Sequence, residues 1–411
     1  MQDGFSDADQ AQALAAHGPE LIARAWAGHL GDHDPATARQ VQFQQRPGAG
    51  TSIVYSLRHG TTELFVGLTT EVLDDADGPH LRRVQLASPR GRPGAGTLAV
   101  ASWLHPHDPR LPGLAHAGVA SEAERLWGDG DRLTRLHTVT YRPLRRAVLR
   151  ADFATPGPLV STRRVYLKAL RPAPAADLAL RHRMLAAAHL PVAPLAGEVL
   201  HGVVATAAMP GESLSTTLLH DGGARLDPLA LVELLDRLPD TVLSLNRKPS
   251  WADRLARYAG AAATALPERT GDIEALCSRL RGIIAARDPG PVVPVHGDFY
   301  EANVLMTGTR ISGLLDLDSV GPGHRVDDLA CLLGHLAVLP AVNTRYRDIW
   351  PVIERWGTAF ARGVDGANLH ARAAAVAISL VAGARRPGMT SWSRAAQARL
   401  DGALRLAELA G

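Results

Sequence analysis

Cysteine is nearly absent: the 411 residues hold two, Cys277 and Cys331. They lie far apart, in apolar, helix-like stretches, so they supply neither a disulfide framework nor the spacing of a zinc site. Both are expected in the core, in a reducing compartment. Lysine is scarce beside arginine, and no dense run of either reads as a nucleic-acid arm. The formal charge of +3 is small for this length although the pI is near 9.1, so no nucleic-acid partner is expected. Residues Met1 to Asp7 lack the basic and apolar regions of a secretory leader. No uninterrupted apolar run approaches a membrane span, and no membrane partner is expected. The expectation is a cytoplasmic protein. What remains is an ordinary globular balance, 46% apolar and 21% charged, in a chain long enough for two lobes.

The order of patterns divides the chain. Residues 6–30 are Ala-rich with spaced Leu, Ile and Trp, as in an amphipathic helix. Strand-like runs follow at 41–45, 51–57 and 63–69, the first two joined by the turn Arg46-Pro47-Gly48-Ala49-Gly50. Further strands are expected near 82–87 and 97–103, then at 137–141, 147–153 and 164–170. A helix over 175–188 stops before Pro191, and Gly202–Ala208 is expected to be another strand. Beyond it the pattern is mostly helical, interrupted by a strand-loop-strand unit at 292–318. This predicts an α+β fold with a β-rich N-terminal lobe and a helical C-terminal lobe. The expected divisions are an N-terminal helix and β-rich extension over 1–130, an N-lobe over 131–210 and a helical C-lobe over 211–411. The strands at 40–70 and 136–170 share a layout that a degenerate repeat would give, with Gly67 where the second set has Lys168.

The chemistry concentrates in Val295-His296-Gly297-Asp298-Phe299-Tyr300-Glu301-Ala302-Asn303, followed by Leu315-Asp316-Leu317-Asp318. One carboxylate, an amide five residues on and a second carboxylate are what phosphoryl transfer from a nucleotide requires. The first orients the acceptor hydroxyl; the amide and the second carboxylate hold the magnesium that bridges the phosphates. Asp298 is therefore the candidate catalytic residue, and Asn303 and Asp316 are the candidate metal ligands, hard oxygen donors of the kind magnesium prefers. Asp318 is a further candidate ligand or the cap of the following turn. Lys168, in Val165-Tyr166-Leu167-Lys168-Ala169-Leu170, is flanked by apolar residues on an expected strand, where an ammonium group calls for a partner.

His296-Gly297-Asp298 with Asn303, then Leu315-Asp316-Leu317-Asp318 and Asp328-Leu329-Ala330, closely resembles the aminoglycoside phosphotransferase family and its choline-kinase-like relatives, within the protein-kinase-like superfamily. The resemblance is strongest over residues 292–335. It implies a two-lobed kinase-like fold, with ATP or GTP and Mg2+ as cofactors. It makes Lys168 the contact to the nucleotide α- and β-phosphates and His296 an anchor of the catalytic loop. It also makes Ala208 and Met209 the linker whose backbone meets the base. Asp328 is expected at a helix start, bracing the loop.

Two features depart from the family. No Glu occurs over 177–190 to pair with Lys168, where Asp177 or His182 stand as substitutes. The turn at Arg142–Arg146 has no glycine where a phosphate-covering loop is expected, leaving Arg145 and Arg146 to touch phosphate oxygens or solvent.

The expected activity is transfer of a γ-phosphoryl group to a hydroxyl of a small molecule: a sugar, an amino sugar or an antibiotic. A specialised peptide kinase is the second reading and a non-catalytic nucleotide-binding scaffold the third. The short stretch from Asp316 to Asp328 leaves no room for a long activation segment, and no Asp-Phe-Gly or Ala-Pro-Glu occurs. Ten arginines against five acids over 341–411 point to a neutral or anionic acceptor.

Overall fold

Ser6 opens the first helix with a reciprocal cap. Its hydroxyl accepts the Asp9 N–H at 3.2 Å and the Asp9 carboxylate accepts the Ser6 N–H at 3.1 Å, which starts α1 (Asp7–Ala25). The computed structural model describes residues 5–46, 49–74, 80–87, 96–155, 161–346, 348–384 and 391–411. Pro47 and Gly48 of the first expected turn, and Arg347, Arg385 and Arg386 of the arginine-rich segment, lie outside the described residues.

The chain divides into two compact units, residues 1–179 with 195–208 and residues 180–194 with 209–411. The last of the three crossings between them falls between Ala208 and Met209.

The first unit is β-rich. β1 (Arg39–Arg46), β2 (Gly50–His59), β3 (Thr62–Thr69), β4 (Leu81–Ala87) and β5 (Thr97–Leu104) form one antiparallel sheet in the order β1-β2-β3-β5-β4. After α2 (Leu114–Ala117) and α3 (Ala120–Trp127) come β6 (Arg132–Arg142), β7 (Arg146–Ala154) and β8 (Thr162–Ala169). Then follow α4 (Pro172–Ala187), which runs past the first division, and β9 (Val203–Ala207), giving a second sheet in the order β6-β7-β8-β9. The strands expected at 51–57, 63–69, 147–153 and 164–170 are all present within a few residues. Along β7 and β8 burial alternates: Leu149, Phe153, Val165 and Leu167 face a core shared with Leu114 and Trp127. α1 supplies a second core, in which Leu14, Leu21 and Ile22, with Trp26 just past the helix end, join Ile53, Leu57 and Leu98. Each such fully buried large apolar side chain contributes about 1.5–3 kcal/mol. The first helix ends at Ala25, short of the expected residue 30.

The two sheets share a three-stranded meander and differ beyond it, because β3 pairs with β5 rather than with the next strand in sequence. Gly67 explains why no lysine stands on β3. A Cβ there would lie 2.2 Å from the Trp103 ring, so the indole already fills that position. Trp103 also ties one sheet to the other. Its Nε1–H donates to the Tyr141 hydroxyl at 3.0 Å, and that hydroxyl donates to the buried Asp108 carboxylate at 2.7 Å. Asp108 also accepts the Leu144 N–H at 2.8 Å, at the turn between β6 and β7.

The second unit is mostly helical. β10 (Glu212–Ser213) leads into α5 (Leu214–Asp221), α6 (Leu229–Asp236), α7 (Leu255–Ala265) and α8 (Thr270–Ala286). The strands β11 (Val292–Val295), β12 (Val304–Thr307), β13 (Arg310–Leu314) and β14 (Gly321–His324) follow. Then come α9 (Arg325–Val342), α10 (Trp350–Phe360), α11 (Gly366–Val381) and α12 (Trp392–Glu408). The strand-loop-strand unit expected at 292–318 thus extends to His324. Gly-Pro-Gly-His has no strand-forming residue, and β14 exists because β11 supplies its pairing.

The segment Gly366–Ala384 is long and apolar enough to cross a membrane by length and composition alone, although Asn368, His370 and Arg372 interrupt its apolar run. In the structure 67% of its most apolar window is buried inside the protein, as in a core helix. Cys277 and Cys331 are both buried and free, as expected.

Candidate active site

Two strand pairs create the site. β11 pairs antiparallel with β14, setting Val295 opposite Gly321, and β12 pairs with β13, setting Val304 opposite Leu314. The loop 296–303 leaves β11 and enters β12, while the loop 315–320 leaves β13 and enters β14. The two loops are therefore held side by side, and Leu315 N–H donates to the Asn303 carbonyl at 2.8 Å between them. β13 is itself fixed by Leu314 N–H donating to the Pro191 carbonyl at 2.7 Å.

Asp328, in the first turn of α9, brackets the entry to the loop. Its two carboxylate oxygens accept the His296 and Gly297 N–H groups, each at 2.7 Å. The side chain is fully buried, and burial pushes its pKa up to about 6, against the opposing pull of those N–H groups and Arg325. This is the brace expected from the sequence. Gly297 has φ +78°, and a Cβ there would meet the Ser319 carbonyl oxygen at 2.5 Å, so only glycine fits between the two loops.

His296 is fully buried, with both ring nitrogens engaged. Nδ1 accepts the Asp298 N–H at 3.3 Å, which leaves Nε2–H to donate to the Leu315 carbonyl at 2.9 Å. Burial lowers its pKa, so the neutral ring is the form the loop holds. With no free nitrogen it anchors rather than acting as a base.

Asn303 is buried and donates its Nδ2–H to the Asp298 carbonyl at 2.9 Å, which fixes the amide and leaves Oδ1 to act as a donor to a cation. Asp316 follows β13 with φ +55°, an uncommon conformation that Asp tolerates better than most residues. A turn at Leu317–Ser319 comes next and holds Asp318, whose carbonyl oxygen accepts from the Lys248 ammonium. Asp298, Asn303, Asp316 and Asp318 are thus brought onto two adjoining loops of one unit. Their donors are hard oxygens, the chemistry that magnesium takes.

Lys168, Arg145 and Ala208 belong to the first unit. Lys168 is half-buried on β8, paired with Val148 on β7 and Val204 on β9, on the opposite face from Leu167. Arg145 sits in the β6–β7 turn, where its N–H donates to the Arg142 carbonyl at 3.0 Å. Ala208 N–H donates to the Arg164 carbonyl at 3.0 Å, extending the pairing of β9 with β8. Met209 opens the second unit. Of the two residues offered in place of the missing Glu, His182 is buried, with Nδ1 at 3.0 Å from the Ala193 carbonyl oxygen.

Several ionisable groups at the site carry no sequence signal. Glu301 is only 4% exposed, and its Oε2 has no hydrogen-bond partner. Burial, with a smaller contribution from Asp298, pushes its pKa up to about 7. His335 on α9 stacks on the Tyr300 ring, with centroids 4.1 Å apart. Burial drives its pKa down to about 3, and its Nε2 is buried without a hydrogen-bond partner. Burial also raises the Cys331 thiol well above its usual range, aided by Asp298, Asp328 and Glu301. Motif spacing cannot reveal these groups, because their burial depends on α9 packing under the loop.

The surplus of arginine over 341–411 is partly consumed inside the second unit. Arg372 pairs with Asp327 at 2.7 Å, and Arg355 and Arg399 donate to the Gly223 and Leu380 carbonyls at 2.6 Å each. Arg405 pairs with Glu354 at 3.1 Å and lies over the Trp350 ring. The sum of charges therefore does not describe a substrate wall, and the expected neutral or anionic acceptor loses that support.

Glu301 yields a stability prediction. Its folded pKa is raised, so its contribution is fully present below its ordinary value of 4.5 and is lost as pH rises through about 7. Glu301→Gln removes this titration. Thermal unfolding should show the variant gaining on the wild type between pH 5 and pH 8, by at most about 3 kcal/mol. An equal difference at both pH values would mean that Glu301 is not held in an apolar setting.

The model of the Phosphotransferase enzyme family (APH) matches residues 159–374, more than half of the chain. This chain belongs to that family. The matched span holds Lys168, both loops, α9 and most of α11. An uncharacterised protein of Deinococcus radiodurans is 38% identical over 68 residues, 16% of this chain and 20% of that protein's length. The chain thus matches only a fifth of that relative.

Among solved structures, a thermostable mutant of aminoglycoside phosphotransferase APH(4)-Ia with ADP and hygromycin B aligns over 70% of this chain and 98% of its own. The identity is 15% and the TM-score 0.45. Macrolide 2′-phosphotransferase MphH from Brachybacterium faecium covers 70% and 97%, at 20% identity and a TM-score of 0.40. Choline kinase from Cryptosporidium parvum Iowa II covers 66% and 89%, at 11% identity and 0.43.

Proposed function

We propose that this protein transfers the γ-phosphoryl group of ATP or GTP to a hydroxyl of a small molecule. The observation that supports the reading is the pair of adjoining loops, one carrying the half-buried Asp298 and the fixed Asn303 amide, the other Asp316. Family membership supports it.

In this reading Asp298 accepts a hydrogen bond from the acceptor hydroxyl, aims its oxygen along the line of attack and takes the proton late in the transfer. Asn303 Oδ1 and Asp316 hold Mg2+, with Asp318 as a further donor. When bound, the ion supplies charge that offsets the developing negative charge on the phosphate oxygens. Lys168 contacts the α- and β-phosphates, Arg145 adds a phosphate contact, and the backbone at Ala208 and Met209 receives the base. His296 and Asp328 hold the loop so that Asp298 needs little reorganisation when the hydroxyl arrives. The cytoplasm, where nucleotide and Mg2+ are abundant, is the proposed location.

The acceptor is proposed to be a sugar, an amino sugar or an antibiotic hydroxyl. A peptide acceptor is the less favoured reading, because only the turn at Leu317–Ser319 and the short β14 lie between Asp316 and α9. A screen of nucleotide consumption over sugars, amino sugars, nucleosides, antibiotics and peptides, with Mg2+, tests this directly. Turnover with a small hydroxyl compound, abolished by Asp298→Ala, is the expected result; turnover only with peptides overturns the small-molecule reading.

Calorimetry with a non-hydrolysable nucleotide adds an independent check. One site per polypeptide is expected, and Lys168→Ala should weaken it by about tenfold or more, the scale of a charge-assisted phosphate contact. Equal affinity in both proteins would remove Lys168 from the nucleotide site.

A further inference from the structure

Cys331 and His335 stand one turn apart on α9, the i and i+4 spacing that puts two side chains on the same helix face. That face carries them to the catalytic loop. One donor atom from each of Asp298, Cys331 and His335 lies within 4.8 Å of the other two. Three donors around a tetrahedral zinc ion stand about 3.5 Å from one another, so rotamer adjustments of about 1 Å would bring these into ligating positions. The sequence concealed the set because its two cysteines lie far apart, and the third ligand comes from a loop more than thirty residues upstream.

A second observation is independent of the spacing. The His335 Nε2 atom is buried and makes no hydrogen bond, and the Glu301 Oε2 atom nearby is in the same condition. The imidazole, stacked on Tyr300, is held in its neutral form, the form that ligates. Cys331 is buried and forms no disulfide. Burial, and after it the negative charges of Asp298, Asp328 and Glu301, keep the thiol protonated until a cation offsets them.

We infer that Asp298, Cys331 and His335 form a binding site for a borderline-soft divalent cation such as Zn2+, distinct from the Asn303 and Asp316 pair. The mixed sulfur, nitrogen and oxygen donors select against Mg2+, which prefers oxygen alone. On binding, the Cys331 thiol gives up its proton to solvent and the sulfur bonds the ion as thiolate. The same event draws the Asp298 carboxylate onto the ion. Resting on the function proposed above, this makes Zn2+ an inhibitor that acts even when Mg2+ and nucleotide are saturating.

Titration of the full chain with Co2+ tests the site without reference to turnover. The wild type should develop a thiolate-to-cobalt charge-transfer band and visible bands of tetrahedral strength, displaced by Zn2+ and not by Mg2+. Cys331→Ser should lose the charge-transfer band, while Cys277→Ser should keep it. His335→Gln should weaken Co2+ binding by about tenfold or more. Circular dichroism of each variant verifies folding, and if Cys331→Ser fails to fold, His335→Gln and Cys277→Ser still decide. A folded wild type with no charge-transfer band overturns the site, as does a band that follows Cys277 or is indifferent to His335→Gln. In the kinase assay, Zn2+ should inhibit the wild type, and His335→Gln should resist it. If no acceptor is ever phosphorylated while the band behaves as described, the cation site stands and the phosphotransferase reading falls.

Discussion

Asp298→Ala is expected to lower kcat by about 10²–10⁴-fold, the scale of losing a positioned acid–base group, with KM for nucleotide nearly unchanged. The split follows from what the residue does in the free protein. The loop uses the Asp298 backbone, whose N–H donates to His296 and whose carbonyl accepts from Asn303, and alanine preserves both bonds. Because these two loop bonds are made by the backbone, removal of the carboxylate should leave thermal unfolding close to that of the wild type. Steady-state kinetics on the first acceptor found by the screen, with unfolding measured in parallel, decides the matter. An unimpaired variant would remove Asp298 from the chemistry. A variant that fails to fold would contradict the backbone account of the loop.

The candidate site was legible in the sequence where its chemistry is local. Asp298, Asn303 and Asp316 are fixed by short loops between strands, so their spacing along the chain carries over into adjacency in space. The strands of the first unit were legible for a related reason: alternation on β7 and β8 is a property of neighbours in sequence. What escaped depends on residues far away. β14 has no strand-forming residues and takes its conformation from β11. The link from Trp103 through Tyr141 to Asp108 joins residues from three separate segments, and only the folded chain shows why Gly67 cannot carry a side chain. Glu301, Cys331 and His335 escaped because their altered ionisation comes from burial where α9 and the loop pack together. The arginine surplus misled in the opposite direction, since ion pairs and carbonyl contacts had already used part of it.

Asp328→Ala should be the most damaging single change to the second unit outside its apolar core. The substitution removes the acceptor of two adjacent N–H groups, those of His296 and Gly297, at a position with no exposure to water. A buried donor left unsatisfied costs about 1–3 kcal/mol, so two give a loss of roughly 2–5 kcal/mol after partial relaxation. Asp328→Asn separates the hydrogen-bonding role from bulk. The amide oxygen can accept one of the two N–H groups, but its NH2 then faces the other donor, so the loss should fall between those of alanine and the wild type. Activity should follow the same order. Gly297 holds φ +78° at the point where the loop turns to present Asp298, and once released from Asp328 it has no side chain to restrain it. Chemical denaturation of both variants, with kcat measured well below their unfolding midpoints, tests the chain of cause. Wild-type stability in the alanine variant would mean that the two N–H groups find other partners and that the bracket is dispensable. If stability falls while kcat is unchanged, Asp328 supports the fold without positioning Asp298.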